Sequence, residues 1–289
     1  MSLETDRERV ADAASLDGTD GFFGFLAGLY AAVLVAPAVV TALALRVTTD
    51  GGTLYVSLLA TVVAVVAAVG YLARSERLAV RLGGTRWVWL APVVPFGYAG
   101  GFVLGAASDS VSGAVVGVSM LGMLAGAFAG LGLAVAARNR HAKAVLATAE
   151  EYARFTARGP ERDRRLVTWS VALLMGAGAV GFLATLVVGR LESSQWLFNL
   201  AIAAGAGLMG ATAERTVAVT DAGLLVGNPV SKRVRPWSAF ESYAMTDDAV
   251  VVRRAGWSPW GLRDVRRDPE EVEDPDAVAA ALGRVLPRR

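Results

Sequence analysis

Apolar residues in this chain fall in long unbroken runs instead of the short alternating sets of a water-soluble domain. Six runs, at about 22–45, 54–73, 87–107, 113–137, 166–189 and 196–213, contain no Asp, Glu, Lys, Arg or His. Each is 18 to 25 residues long, near the length a helix needs to cross a hydrocarbon core of ~30 Å. The pattern predicts six transmembrane helices over 22–213. Aromatics stand near the ends of several runs: Tyr55, Tyr71, Trp87, Trp89, Trp169 and Trp196. Such rings gather at membrane–water interfaces.

Within the runs, glycine spacing predicts how helices meet. Gly113 and Gly117 form one small-xxx-small row, and Gly122, Gly126 and Gly130 another on the roughly opposite face. Such rows let helix backbones approach closely in lipid, so the fourth helix is expected between two neighbours, one near each end. Two GxGxxG stretches, Gly176–Gly181 and Gly205–Gly210, lie inside apolar runs. A nucleotide fingerprint needs a strand before it and a helix opening on it; here close packing of the fifth and sixth helices as a hairpin is the better reading. The third run holds Pro92, Pro95, Gly97, Gly100 and Gly101 around Tyr98. Proline removes a helix hydrogen bond, so Pro92, Pro95 and Tyr98 mark a kink or, alternatively, the lining of a membrane pathway.

After Ala213 the period shortens. Strands are expected at Arg215–Thr220, Leu224–Gly227, Val230–Arg235, Phe240–Thr246, Ala249–Arg254 and Arg263–Arg267, with turn residues between them. A helix over Ala277–Leu286 follows, capped by Asp274 or Asp276 with Pro275 in its first turn. The intervening stretch 138–165 shows Val145, Ala149, Tyr152 and Phe155 at helical spacing. It predicts a cytosolic helical connector ending at Gly159-Pro160. Residues 1–21 form an acidic tail with six carboxylates.

Charge orients the scheme. Of the 28 Lys and Arg residues, 26 fall in the tail, 74–86, 138–165 and 214–289, and two fall in the remaining connections. Basic loops stay in the cytosol, which puts both termini there and makes the chain a multi-pass protein of the cell membrane. There is no Cys and a single His, His141, so disulfides, thiolate chemistry and a Ser/His/Asp triad are excluded or unsupported. No cofactor, metal or nucleic-acid motif is present. Ionisable residues are missing from the runs, which argues against an ion-coupled pump. Lys232, Arg233 and Arg235, ending at Trp237, make a basic strand suited to anionic headgroups or to a protein partner.

The C-terminal segments RTVAVTDAGLLV, KRVRPWSAFESYAMTDDAVVV and DPDAVAAAL resemble the bacterial-type pleckstrin-homology (PH)-like domains attached to transmembrane helices. The resemblance spans about 214–289 and implies a bent antiparallel sheet closed by one helix; it carries over no ligand and no catalytic residue. The expected protein is therefore a six-helix membrane domain followed by a small PH-like domain. It is read as a non-enzymatic scaffold or assembly component. The rival reading is a channel or transporter for an uncharged or lipid-like solute. Membrane lipids and a cytosolic or intramembrane protein are the expected partners, and the membrane part leaves room for homo-oligomers.

Overall fold

A computed structural model describes residues 18–100, 103, 113–187, 195–257 and 263–289. Most of the acidic tail, the connections 108–112 and 190–194, and Pro259 and Trp260 lie outside the described residues. The chain forms two compact units. One comprises the residues up to Thr148 with Ser231–Arg233, the other Ala149–Val230 with Val234–Arg289.

The first unit begins with α1 (Gly21–Arg46) and α2 (Gly51–Ala73). Asp20 caps α1 by accepting the Phe23 N–H at 3.0 Å, and its own N–H donates to the Arg74 carbonyl at 2.7 Å. Asp50 caps α2 through the N–H and hydroxyl of Thr53, both at 2.7 Å. Gly24 and Gly28 of α1 lie against the backbone of α2 at Gly70 and Val66. A Cβ at either glycine would come 2.5 Å from a carbonyl oxygen of α2, which is why the two helices can pack so closely. The stretch read as part of a plain connection folds as a short amphipathic helix, α3 (Glu76–Gly84), burying Ala79, Val80 and Gly83. Two 3-10 segments follow, Arg86–Leu90 and Val94–Tyr98. The long helix α4 (Gly113–Ala147) completes the unit. Phe23, Ala79, Val88, Leu133, Ala134 and Ala137 form its core.

The second unit opens on a correction. The connector was expected to stay helical, but the helix stops at Ala147 and Glu151–Ala157 is a strand, β1. The helical spacing of Tyr152 and Phe155 overlies an alternation in which Phe155 and Ala157 face the core while Arg154 and Thr156 are exposed. A partner strand decides between the two patterns: β1 pairs antiparallel with β2 (Arg215–Thr220), Ala157 opposite Arg215 and Phe155 opposite Val217. Tertiary pairing overrides local preference here. Between these paired strands run α5 (Glu161–Val187) and α6 (Gln195–Met209). The sheet region is therefore not confined to the expected 214–289.

β2 continues into β3 (Leu224–Gly227) and β4 (Lys232–Arg235), giving a four-stranded sheet in the order β1-β2-β3-β4. A three-stranded antiparallel sheet follows from β5 (Phe240–Met245), β6 (Val250–Arg254) and β7 (Val265–Arg267). Helix α7 (Pro275–Gly283) closes the region, with the Asp274 carboxylate accepting the Ala277 N–H at 2.8 Å. One apolar core joins both sheets to α7: Phe155, Val219, Leu224, Phe240, Val252 and Leu282 all belong to it. These elements match the expected strands and cap to within a few residues.

Among the described residues, four helices are long and apolar enough to cross a membrane: α1, α2, residues Val115–Ala147 of α4, and Glu161–Thr185 of α5. The other two expected spans differ. In the third, the described residues turn through two 3-10 segments around Pro92, as proline's missing N–H and fixed φ dictate. The sixth is the shorter apolar helix Leu197–Thr212, ending in a 3-10 turn at Gly210–Thr212.

Candidate functional site

The junction between the α5–α6 hairpin and the sheets concentrates the polar bonding of the second unit. Two short links connect hairpin and sheet: Arg158-Gly159-Pro160 leads from β1 into α5, and Ala213-Glu214 leads from the 3-10 turn after α6 into β2. At three and two residues, both links are too short to have reach of their own. Both open on the same antiparallel pair, Ala157 opposite Arg215.

The loop after β7 ties this junction down. Asp268 donates its N–H to the Arg158 carbonyl at 3.0 Å, and Glu271 accepts the Arg158 N–H at 2.6 Å. The other Glu271 carboxylate oxygen takes the Arg164 guanidinium at 3.0 Å, and Asp268 lies 3.8 Å from the same group. Arg266 pairs with Asp163 at 3.3 Å. Glu161 and Asp163 stand in the first turn of α5, where the helix dipole favours negative charge. Surface ion pairs contribute little individually, but Arg164 and its two carboxylates are each only partly exposed and share one set of bonds with the backbone.

Two arginines here have no carboxylate partner among the described residues, although the Arg267 guanidinium donates to the Arg266 carbonyl at 2.7 Å. Arg215 and Arg267 are half-buried, and neither forms an ion pair with a described carboxylate. Burial, with the neighbouring Arg215 charge adding to it, pushes the Arg267 guanidinium down to about 10. The charge pattern of the sequence did not single out this pair, because burial rather than spacing makes it unusual.

The residues singled out from the sequence divide into separate places. Lys232 and Arg233 are exposed at the start of β4, and Arg235 is half-buried at its end. Trp237 is turned inward: its indole N–H donates to the Thr220 carbonyl at 2.8 Å and its ring lies 5.9 Å from that of Phe240. It secures the β2–β3 turn, where Gly223 has φ of 153° and backs onto the Arg235 carbonyl.

In the first unit, Pro92, Pro95 and Tyr98 do come together, along the second glycine row of α4. A Cβ on Gly122 would come within 3.1 Å of the Tyr98 ring and of Pro37. One on Gly126 would lie 2.7 Å from Pro95, and one on Gly130 2.7 Å from the Pro92 nitrogen. The Tyr98 hydroxyl donates to the Leu34 carbonyl of α1. Gly113 and Gly117 meet nothing within 4 Å among the described residues. In the hairpin, Gly178 and Gly181 of α5 receive Ile202 and Phe198 of α6, and Gly205 of α6 receives Met175. Those glycines of the two GxGxxG stretches serve helix packing.

Comparison with protein-family models, with curated proteins and with solved structures gives no match to this chain.

Proposed function

We propose that the chain is a multi-pass membrane protein, both termini in the cytosol, whose β region is a PH-like module held directly on a transmembrane hairpin. It acts as a scaffold or assembly component. One observation carries this reading: the α5–α6 hairpin is inserted between two neighbouring, paired strands, so the module is fastened to it at both ends. A freely tethered domain gains nothing from such a double attachment. A platform that must present one face at a defined height and angle does.

The PH-like assignment is supported by four strands, then three strands, then a closing helix. Six crossings remain the reading that the charge split favours, with the broken third segment and the short α6 completing the set. Under it, every segment rich in Lys and Arg lies on the cytosolic side.

The transporter reading rests on the broken third segment, since non-helical backbone at membrane depth either is buried in protein or lines a watery cavity. Pro95 and Tyr98 fill the glycine row of α4, which favours burial. The test is purification of the native complex beside a flux assay in reconstituted vesicles. A protein partner that copurifies with the wild type and is lost from Glu271→Ala supports the scaffold. Uncharged-solute flux above that of empty vesicles, altered by Tyr98→Ala, replaces it with the transporter.

A further inference from the structure

Arg138 is the first charge after the 25 uncharged residues Gly113–Ala137 of α4. Its position on that helix corresponds to the edge of the hydrocarbon. Its guanidinium lies 5.1 Å from the centre of the Trp89 ring, and its Nε is buried without a hydrogen-bond acceptor. Arg138 forms no ion pair with a described carboxylate. The neighbouring cation is treated differently: Arg140 Nε lies 2.5 Å from the buried Asp20 carboxylate. His141, one turn on, is engaged with the Val80 carbonyl at 3.2 Å.

Trp89 is held in place from below. Gly83 and Gly84 at the end of α3 fit against Ala137 and His141 of α4, and Val88 is buried in the core of the unit. In a 3-10 helix residues three apart share a face, so Arg86 lies on the same side of its segment as Trp89. The Arg86 guanidinium sits 5.6 Å from the Trp87 ring, and Arg74 sits 3.9 Å from Tyr71. At this end of the unit cations rest on aromatic faces. A ring face attracts a cation without neutralising it, so a formal positive charge and an unused planar donor remain.

We propose that Arg138, stacked on Trp89 and supported by Arg86, binds the phosphate of an anionic membrane phospholipid. The guanidinium fork suits two phosphate oxygens, Trp89 belongs at headgroup depth, and the exposed Leu90 beside it meets the acyl chain. The inference rests on the membrane reading above, and deepens it by naming a lipid class and a site in the first unit.

The test uses the purified full chain in vesicles of equal phosphatidylglycerol and phosphatidylcholine, with spin-labelled versions of each lipid reporting relative association. Detergent dependence and circular dichroism are checked for every variant. Wild type should prefer phosphatidylglycerol, and Arg138→Gln should lower that preference about fivefold, the weight of one juxtamembrane cation. Trp89→Leu, which keeps an apolar side chain, should lower it in the same direction. Arg253→Gln, which removes an exposed cation on β6, should leave it unchanged, and millimolar inorganic phosphate should not compete. An unchanged preference in folded Arg138→Gln or Trp89→Leu overturns the proposal, as does an equal loss in Arg253→Gln. Displacement by inorganic phosphate overturns it in favour of a soluble anion. A chain that leaves the vesicles in alkaline carbonate without detergent refutes the membrane reading instead.

Discussion

Ala157 and Arg215 face each other across an antiparallel strand pair, yet the entire α5–α6 hairpin lies between them in sequence. Strand pairing therefore does what a covalent linker does in ordinary tethered domains. The two links to the hairpin are redundant: loosening one leaves the other fixed by the sheet. Inserting ten Gly/Ser residues after Ala213 alone should leave the module attached through β1 and Arg158. Inserting them after both Gly159 and Ala213 should release it. Amide hydrogen exchange at 158–165 and 210–215 reads the difference, with fast exchange at both sites only in the double insertion.

The loop after β7 should matter more than its exposure suggests. Glu271 accepts the Arg158 N–H and the Arg164 guanidinium together. Glu271→Ala leaves both donors short of a partner, whereas Arg164→Ala removes one donor and leaves Glu271 its backbone bond. A loss of about 1–2 kcal/mol is expected for Glu271→Ala, in line with hydrogen bonds to charged groups, and less for Arg164→Ala. Urea unfolding followed by tryptophan fluorescence ranks the two.

Arg267 gives a pH dependence with a defined sign. Its folded value of about 10 lies below the ordinary arginine value, so between the two the unfolded chain binds more protons. Stability then rises with pH across that window, and at neutral pH the cost of the buried charge is fully present. Arg267→Met keeps an apolar stem and removes the charge. Its melting temperature should exceed that of wild type at neutral pH, and the gap should narrow as pH rises through 10. A lower melting temperature at neutral pH would mean that the charge is compensated.

Glycine substitutions separate packing from filling in α4. Gly126→Ala places a Cβ 2.7 Å from Pro95, while Gly117→Ala meets nothing within 4 Å among the described residues. Gly126→Ala should lower thermal stability in detergent. Gly117→Ala should leave it unchanged or raise it slightly, as alanine favours helix over glycine.

The strands after β1 were readable because each carries its own alternation and its own turn residues, as in Asp221-Ala222-Gly223 and Asp247-Asp248. The Asp274 cap was readable for the same local reason. β1 was not, because Val145, Ala149, Tyr152 and Phe155 also fit a helix and its partner strand lies beyond a whole helical hairpin. α3 was passed over because nine residues with Arg77 and Arg81 among them resemble a basic connection until Ala79, Val80 and Gly83 find α4. Of the candidate site residues, Pro92, Pro95 and Tyr98 were legible as a break, since proline acts locally. Trp237 was legible only in part: its place beside three basic residues says nothing of the Thr220 carbonyl that takes its indole N–H.

The central claim is that α5 and α6 cross the membrane and return to one sheet on the cytosolic side. The absence of Cys allows single cysteines to be placed at Thr156 on β1, at Glu214 before β2 and at Ser193 between the two helices. An impermeant maleimide applied to intact cells should label Ser193→Cys, as it should Ser110→Cys. It should reach Thr156→Cys, Glu214→Cys and Ser231→Cys only after lysis. Labelling of either Thr156→Cys or Glu214→Cys in intact cells would contradict the account.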